Sequence, residues 1–492
     1  MTTKLSIMNL DTIPASVARP DYARSALSTG IVHFGVGNFH RAHQAVYLDA
    51  LFNLGRDFDW AITGAGVLPS DEKMRQTLAG QDYLTTVVEQ SAGRSTARIT
   101  GSMIDFMPPG DPQAIVGRLA DPAVRIVSLT ITEGGYFIDA ATGVFDAAHP
   151  DIKADGAAPD RPKTVFGLIV AGLRRRREAG IRPFTVMSCD NIPHNGKAAG
   201  NAVAGLAELS DPELAQWIRK NVAFPNSMVD RITPATGDRE RDILARDFGV
   251  ADAWPVFCED FIQWVLEDNF SCGRPAYDAV GVEFAADVTP WEIMKIRILN
   301  GGHAVIAYPA GLLDIHFAHE AMQRPLIRDF LDKVEREEII PVVPPVPGTD
   351  LQAYYRKIVE RFANPKIGDT IRRLCLDGSN RQPKFIIPSI ADRLKAGADV
   401  TGLALESALW CRYCFGTTES GQTIAPNDPN WDRLEPIARA AKDDPPQWLQ
   451  MEDIYGDVGR SRAFVERFTR LLRALWADGV ERVVGRYLEG TP

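Results

Sequence analysis

The most constraining feature of this 492-residue chain is a glycine turn set between two opposite backbone preferences. Gly30 to Phe34 is apolar and β-branched enough to form a short buried strand, and Phe39 to Asn53 has the periodicity of a helix. Between them stands Gly35-Val36-Gly37-Asn38-Phe39-His40-Arg41. A strand that turns at once into a helix is a βα unit. Gly35 permits the tight turn, and Gly37 lets a bound group approach the backbone. The helix N-terminus then offers unpaired N–H groups carrying partial positive charge, which suits the pyrophosphate of a dinucleotide. These seven residues are therefore the candidate cofactor contacts. The third glycine of the usual G-x-G-x-x-G pattern is His40, which predicts looser helix–strand packing while the phosphate site is retained. Without its flanking elements the same pair of glycines would read as an ordinary turn.

Further strands are expected at Trp60 to Gly66, Tyr83 to Glu89, Val124 to Thr132 and Phe184 to Ser188, with a helix at Thr164 to Glu178. This alternation predicts an α/β fold with a Rossmann-type, doubly wound parallel sheet. After about Thr289 helical periodicity replaces the β-branched runs, so residues 1–288 are assigned to a nucleotide-binding domain with an N-terminal arm. Residues 289–492 are assigned to a mostly α-helical domain. Pro341 to Gly348 (PVVPPVPG) should be an extended connector within it. The acid expected to read the ribose after the second strand is Asp71, which would equally serve as the N-terminal charge of the next helix; NAD is favoured over NADP on this residue alone.

A formal net charge of −10 disfavours nucleic acid or an anionic membrane as partner. No apolar run reaches the ~18 residues of a membrane span, and residues 1–30 contain no signal-peptide core, so a cytoplasmic protein is expected. The six scattered cysteines, including Cys411 and Cys414 in an apolar stretch, predict buried free thiols instead of a disulfide framework.

The richest chemistry lies in Lys295-Ile296-Arg297-Ile298-Leu299-Asn300-Gly301-Gly302-His303. On an α-helix at ~100° per residue, Asn300 falls ~140° and His303 ~80° from Lys295, so all three can share one arc. Oxidation of an alcohol by hydride transfer needs a base for the proton and donors for the developing alkoxide; a lysine and an amide supply both. The alternative is a surface lysine, a helix break at Asn300 and a core histidine. Asn191, in the loop after the strand ending at Ser188, lies where ligands bind in wound sheets, and is either a second donor to the oxyanion or part of a plain turn. Asp230, in the loop Phe224 to Pro234, is a candidate for binding hydroxyls. His316, His319 and Glu320 lack the spacing of a metal motif, and no metal is expected.

Five blocks resemble the long-chain mannitol dehydrogenases: GVGNFHRAHQA from Gly35, SLTITEGGY from Ser128, TVMSCDNIPHNG from Thr185, FPNSMVDRITP from Phe224 and KIRILNGGH from Lys295. The resemblance runs from Gly30 to the C-terminal helices. It implies an active site in a cleft between two domains, with Lys295 as general base, Asn191 and Asn300 as oxyanion donors and His303 orienting the substrate. It further implies that Thr132 and Glu133 lie beside the nicotinamide, Glu133 on the path by which the proton leaves. Asp230, Arg373, Arg381 and Lys384 would contact substrate hydroxyls. Arg381 stands where the family usually has Lys, and Gly302 and Pro309 where it more often has Ser and a larger apolar residue. The expected reaction is NAD-dependent oxidation of mannitol, arabinitol or sorbitol to a ketose, by a monomer or small homo-oligomer. Fructuronate and tagaturonate reductases resemble the same blocks and are the nearest alternative; a non-catalytic dinucleotide sensor is the alternative of another class. A lysine base predicts oxidation rates that rise with pH until it is neutral.

Overall fold

The computed structural model describes residues 2–138 and 144–491. The chain divides into two compact units, Met1–Thr289 and Pro290–Pro492.

The first unit is built on five parallel strands: β1 (Thr29–Phe34), β2 (Ala61–Ala65), β3 (Met103–Phe106), β4 (Ile126–Leu129) and β5 (Thr185–Ser188). Their spatial order is β3-β2-β1-β4-β5, the dinucleotide-binding order 3-2-1-4-5-6 without its sixth strand. The sheet is doubly wound because successive side chains alternate between two cores. Val32 and Phe34 pack with Phe166, Ile169 and Val203 on one side. Ile31 packs with Leu48, Phe52 and Leu78 on the other. Helix Val165–Glu178 begins where expected because the Thr164 side chain accepts from the Gly167 amide at 3.0 Å.

Two expectations need correction. The strand expected at Tyr83 to Glu89 forms as Thr85–Gln90, but outside the wound sheet. It pairs antiparallel with Ser95–Thr100 in a separate four-stranded sheet, through a hairpin closed by the Ser91 amide on the Arg94 carbonyl at 2.9 Å. The third strand of the wound sheet is instead β3, four residues at its edge. The helix expected over Phe39 to Asn53 is broken at His43 (φ −122°, ψ −90°) into Asn38–Ala42 and Gln44–Asn53. His43 leaves helical geometry with its ring against Phe39 and its Nε2 at 3.0 Å from the Gln263 carbonyl.

The second unit is helical among its described residues. Every residue of helix Thr401–Cys414 is buried, Cys411 and Cys414 included, and burial pushes both thiols well above their usual range. Pro341 and Val342 close a single 3-10 turn, after which the chain runs irregularly to Gly348. No helix among the described residues is long and apolar enough to cross a membrane.

Candidate active site

Gly35 sits at φ +90°, and an added Cβ there would lie 2.0 Å from the Thr130 carbonyl oxygen, so only glycine fits. Gly37 is the opposite case. It is exposed, and its Cβ would meet nothing nearer than the Gly35 oxygen at 3.8 Å. The turn is thus closed on the strand side and open on the solvent side. Asn38 and Phe39 are half-buried along that open side, and the Asn38 amide donates to the Pro234 carbonyl at 3.1 Å.

Val36, His40 and Arg41 face inward. Arg41 is fully buried, its guanidinium donating to the carbonyls of Gly37 and Trp254 and to Asn38 Oδ1, so it braces the turn from behind. His40 does not loosen the packing as expected. Its ring lies flat on His33, 3.4 Å between centroids and 13° between planes, and fills the space that the missing glycine leaves. His33 in turn ties β1 to β4 through Ser128 Oγ at 2.8 Å and Thr130 Oγ1 at 2.9 Å. Burial drives the His33 imidazole down to about 3 and that of His40 well below its ordinary value, so both stay neutral.

Asp71 is the third residue of helix Pro69–Ala79, and its Oδ2 accepts the amides of Val67 at 2.9 Å and Leu68 at 2.8 Å. That carboxylate caps the helix at the carboxyl end of β2. Thr132 and Glu133 follow β4, with Glu133 exposed at the start of a 3-10 turn, Glu133–Tyr136. Asn191 follows β5 and is exposed; Asp230 ends the buried strand Ser227–Asp230, opposite Gln263.

In the second unit the segment Lys295–Asn300 is a π-helix, with the Gly301 amide donating to the Ile296 carbonyl five residues back. This corrects the α-helical geometry. With i to i+5 hydrogen bonding, Asn300 lies a little over one turn beyond Lys295, nearer to its face than the ~140° of an α-helix. Lys295 and Asn300 are buried, at 7% and 8% exposure. His303 follows on helix Gly301–Leu312, stacked on Phe362 at 4.1 Å. Burial first, then the positive charges of Arg373, Arg361, Arg381 and Lys295, hold its imidazole well below the usual range. All four charges act in the same direction on that one ring. Arg373 is gripped through both nitrogens by the buried Asp369, while Arg381 reaches the carbonyls of Arg373 and Leu374 at 3.4 and 3.3 Å. Lys384 is exposed on the same helix, Gly378–Phe385.

The mannitol dehydrogenase Rossmann-domain model matches residues 29–279, and the mannitol dehydrogenase C-terminal-domain model matches residues 287–476. The chain belongs to the mannitol dehydrogenase family. It is 60% identical to a mannitol 2-dehydrogenase of Cereibacter sphaeroides, over 96% of this chain and 99% of that one. Among solved structures it matches the Pseudomonas fluorescens mannitol 2-dehydrogenase in ternary complex with NAD and D-mannitol, at 43% identity and TM-score 0.91, covering 99% of this chain and 100% of that one. A substrate-free D-sorbitol dehydrogenase matches at 36% identity and TM-score 0.90, covering 98% and 100%.

Sequence reasoning passed over several residues that this family member places around the candidate groups. Arg361 and Asp369 are buried beside the His303 cluster, with Asp369 gripping Arg373. Asp190, Tyr136 and Asn195 are buried around the loops of Glu133 and Asn191. Asp190 and Asn195 stood inside the CDNIPHNG block. Their signal was a polar pair in a loop after a buried strand, which becomes decisive only when their partners are known.

Proposed function

We propose that this chain oxidises a secondary alcohol of a polyol to the ketose, with mannitol to fructose as the leading reaction. It is an NAD-dependent polyol dehydrogenase; the polyol and the roles of individual residues are the proposal. The open backbone face at Gly37, at the carboxyl end of β1, suits the NAD pyrophosphate, with Gly35, Asn38 and Phe39 completing the cradle. When bound, NAD supplies the hydride acceptor.

The residues of the chain then have separate tasks. Lys295 Nζ takes the hydroxyl proton as the C–H bond breaks, and the side-chain amides of Asn300 and Asn191 donate to the oxygen as it gains negative charge. His303, held neutral, orients a neighbouring hydroxyl. Asp230, Arg373, Arg381 and Lys384 bind further hydroxyls, and Glu133 passes the proton on to water. Asp369 keeps the Arg373 fork in one orientation. In reverse the same groups reduce the ketose. The chain acts in the cytoplasm as a monomer or small homo-oligomer.

The observation that carries this reading is the π-turn, which puts a buried lysine and a buried amide a little over one turn apart, near one face. The 60% identical relative and the mannitol-bound neighbour support the choice of mannitol. A second reading draws on the cations around His303, which favour a sugar acid. These charges are engaged within the protein, Arg373 by Asp369 and Arg381 by carbonyls among them, which favours the neutral polyol.

The test is reduced-nicotinamide formation from NAD by chelator-treated protein with mannitol, sorbitol, arabinitol and hexonates. Turnover of mannitol above the others supports the proposal; turnover of a hexonate alone replaces it with hexuronate reduction. Lys295→Ala should lower kcat by about 10²–10⁴-fold, with partial recovery on adding small primary amines. An unchanged kcat would remove lysine as the base.

A further inference from the structure

We propose that Asp190 is a positioning residue for this reaction, through a buried hydrogen-bond network that sets the loops of Glu133, Asn191 and Asp230 together. The inference rests on the roles proposed above for those three residues.

The starting point is backbone strain. Thr132 stands at φ +63°, ψ 168°, a region left almost entirely to glycine and costing about 1–3 kcal/mol for other residues. It is held there by Asp190. The Thr132 amide donates to Asp190 Oδ1 at 2.8 Å, and the Ile131 amide donates to Oδ2 at 3.0 Å. The Tyr136 hydroxyl donates to the same Oδ2 at 2.7 Å. One carboxylate thereby fastens both ends of the turn Glu133–Tyr136, and Glu133 lies between the two fastenings.

The same residue anchors its own loop. The Asp190 carbonyl accepts from Asn195 Nδ2 at 3.0 Å, closing the segment that contains Asn191. Asn195 then pairs with the Ser227 backbone in both directions, Nδ2 donating to the carbonyl at 2.8 Å and Oδ1 accepting from the amide at 2.9 Å. Ser227 opens the four-residue strand that ends at Asp230, and its hydroxyl donates to the Ser188 carbonyl at 2.6 Å. Ser188, Asn195, Ser227 and Tyr136 are all buried, so water does not compete for these bonds. A fold that needed only to cover the sheet edge would have no use for a strained threonine. Strain fixed by several bonds to one buried carboxylate instead sets one geometry for the residues beyond it.

Removing part of the network should displace Glu133 and Asn191 while leaving the glycine turn intact. Asp190→Asn keeps the shape but turns one acceptor into a donor facing a donor. It should lower kcat for polyol oxidation by about 100-fold, the size of effect expected from a displacement of about 1 Å. NAD affinity, read by fluorescence titration, should fall far less than kcat, because the glycine turn at Gly35 and Gly37 is untouched. Tyr136→Phe should show a smaller loss of the same kind, and it serves as the test if Asp190→Asn does not fold. The deciding measurement is a double-mutant cycle. If Asp190 acts through its neighbours, its variant adds little in a Glu133→Gln or Asn191→Ala background. Full additivity in both backgrounds, a wild-type kcat in Asp190→Asn, or a parallel loss of NAD affinity would overturn the proposal in favour of a structural role. If Glu133→Gln and Asn191→Ala are each without effect, the site reading itself fails and the proposal falls with it, a result distinct from additivity.

Discussion

Asp190 in the first unit and Glu335 in the second are both carboxyls withdrawn from water, and they are handled in opposite ways. Asp190 receives two amides and a phenol. Glu335, at 0% exposure on a π-turn, has no hydrogen-bond partner on either oxygen among the described residues. Burial raises both acids above their ordinary range. For Asp190 the bonds from Tyr136, Ile131 and Thr132 pull back, while for Glu335 nothing opposes burial, which favours its neutral form. The difference separates two uses of a buried polar group. A satisfied one specifies a loop geometry, whereas an unsatisfied one is a cost borne by the packing around it.

The largest expected effect follows directly. Asp190→Ala strands one buried phenol and two part-buried amides; an unpaired buried group costs about 1–3 kcal/mol and the amides less, so a loss of roughly 3 kcal/mol is expected in urea denaturation. Glu335→Met removes a group that has no partner, and should be neutral or stabilising by about 1–2 kcal/mol. Equal destabilisation by the two variants would break the comparison.

The second test uses pH, because Glu335 is accompanied in its unit by Glu338, pushed up to about 7, and Glu406, pushed up to about 8. Burial is the main cause in each. The native state keeps protons that the unfolded chain releases above about pH 4.5, so stability falls as pH rises from there through 7 to 8. The slope is at most about 1.4 kcal/mol per pH unit for each group. His33 has the opposite sign, since only the unfolded chain binds its proton between about 6.5 and 3, and its contribution is lost on acidification. Hydrogen exchange of the full-length protein, corrected for the intrinsic rate, should show Thr401–Cys414 opening more readily at pH 8 than at pH 6. Glu406→Gln should flatten that response; an unaltered slope would assign the effect elsewhere.

How much of this was legible in the sequence follows the same division. β1 with its glycine turn, the helix at Val165–Glu178 and the change of character after Thr289 were readable because periodicity and punctuation are local signals. The wound order was not fully readable. Thr85–Gln90 has the stronger strand composition, yet Met103–Phe106 takes the edge of the sheet, and which strand joins which sheet is decided by long-range pairing. Glu133, Arg373, Arg381 and Lys384 became candidates only through the family resemblance, whereas Lys295, Asn300 and His303 were visible as polar groups among apolar neighbours. Their spacing was misjudged at Asn300, because nothing in KIRILN announces a π-turn over an α-turn. The supporting residues were hidden for a related reason. Asp190 and His33 gain meaning from partners distant in sequence, Thr132 lying fifty-eight residues from Asp190 and Thr130 ninety-seven from His33, while Asp369 depends on Arg373 four residues on.

The smallest test concerns Gly302, which faces Glu335. A Cβ built on Gly302 would lie 3.0 Å from Glu335 Oε1 and 3.4 Å from both Leu331 Cδ1 and Phe362 Cε2. The first contact is with the end of a flexible side chain, which can yield by a few tenths of an ångström. Gly302→Ser should therefore be accommodated, and its hydroxyl would give Glu335 a hydrogen-bond partner beside the lysine π-turn. Replacing a helical glycine contributes a few tenths of a kcal/mol and the new bond a similar amount, so about 1 kcal/mol of stabilisation is expected. That corresponds to a rise in Tm of roughly 2–4 °C for a domain of this size. The gain should shrink in a Glu335→Met background, because the hydroxyl then has no carboxyl to meet. An equal gain in both backgrounds would mean that helix propensity alone accounts for it. A loss in the wild-type background would mean that Glu335 cannot move, and that its unpaired state is enforced by the packing of Leu331 and Phe362.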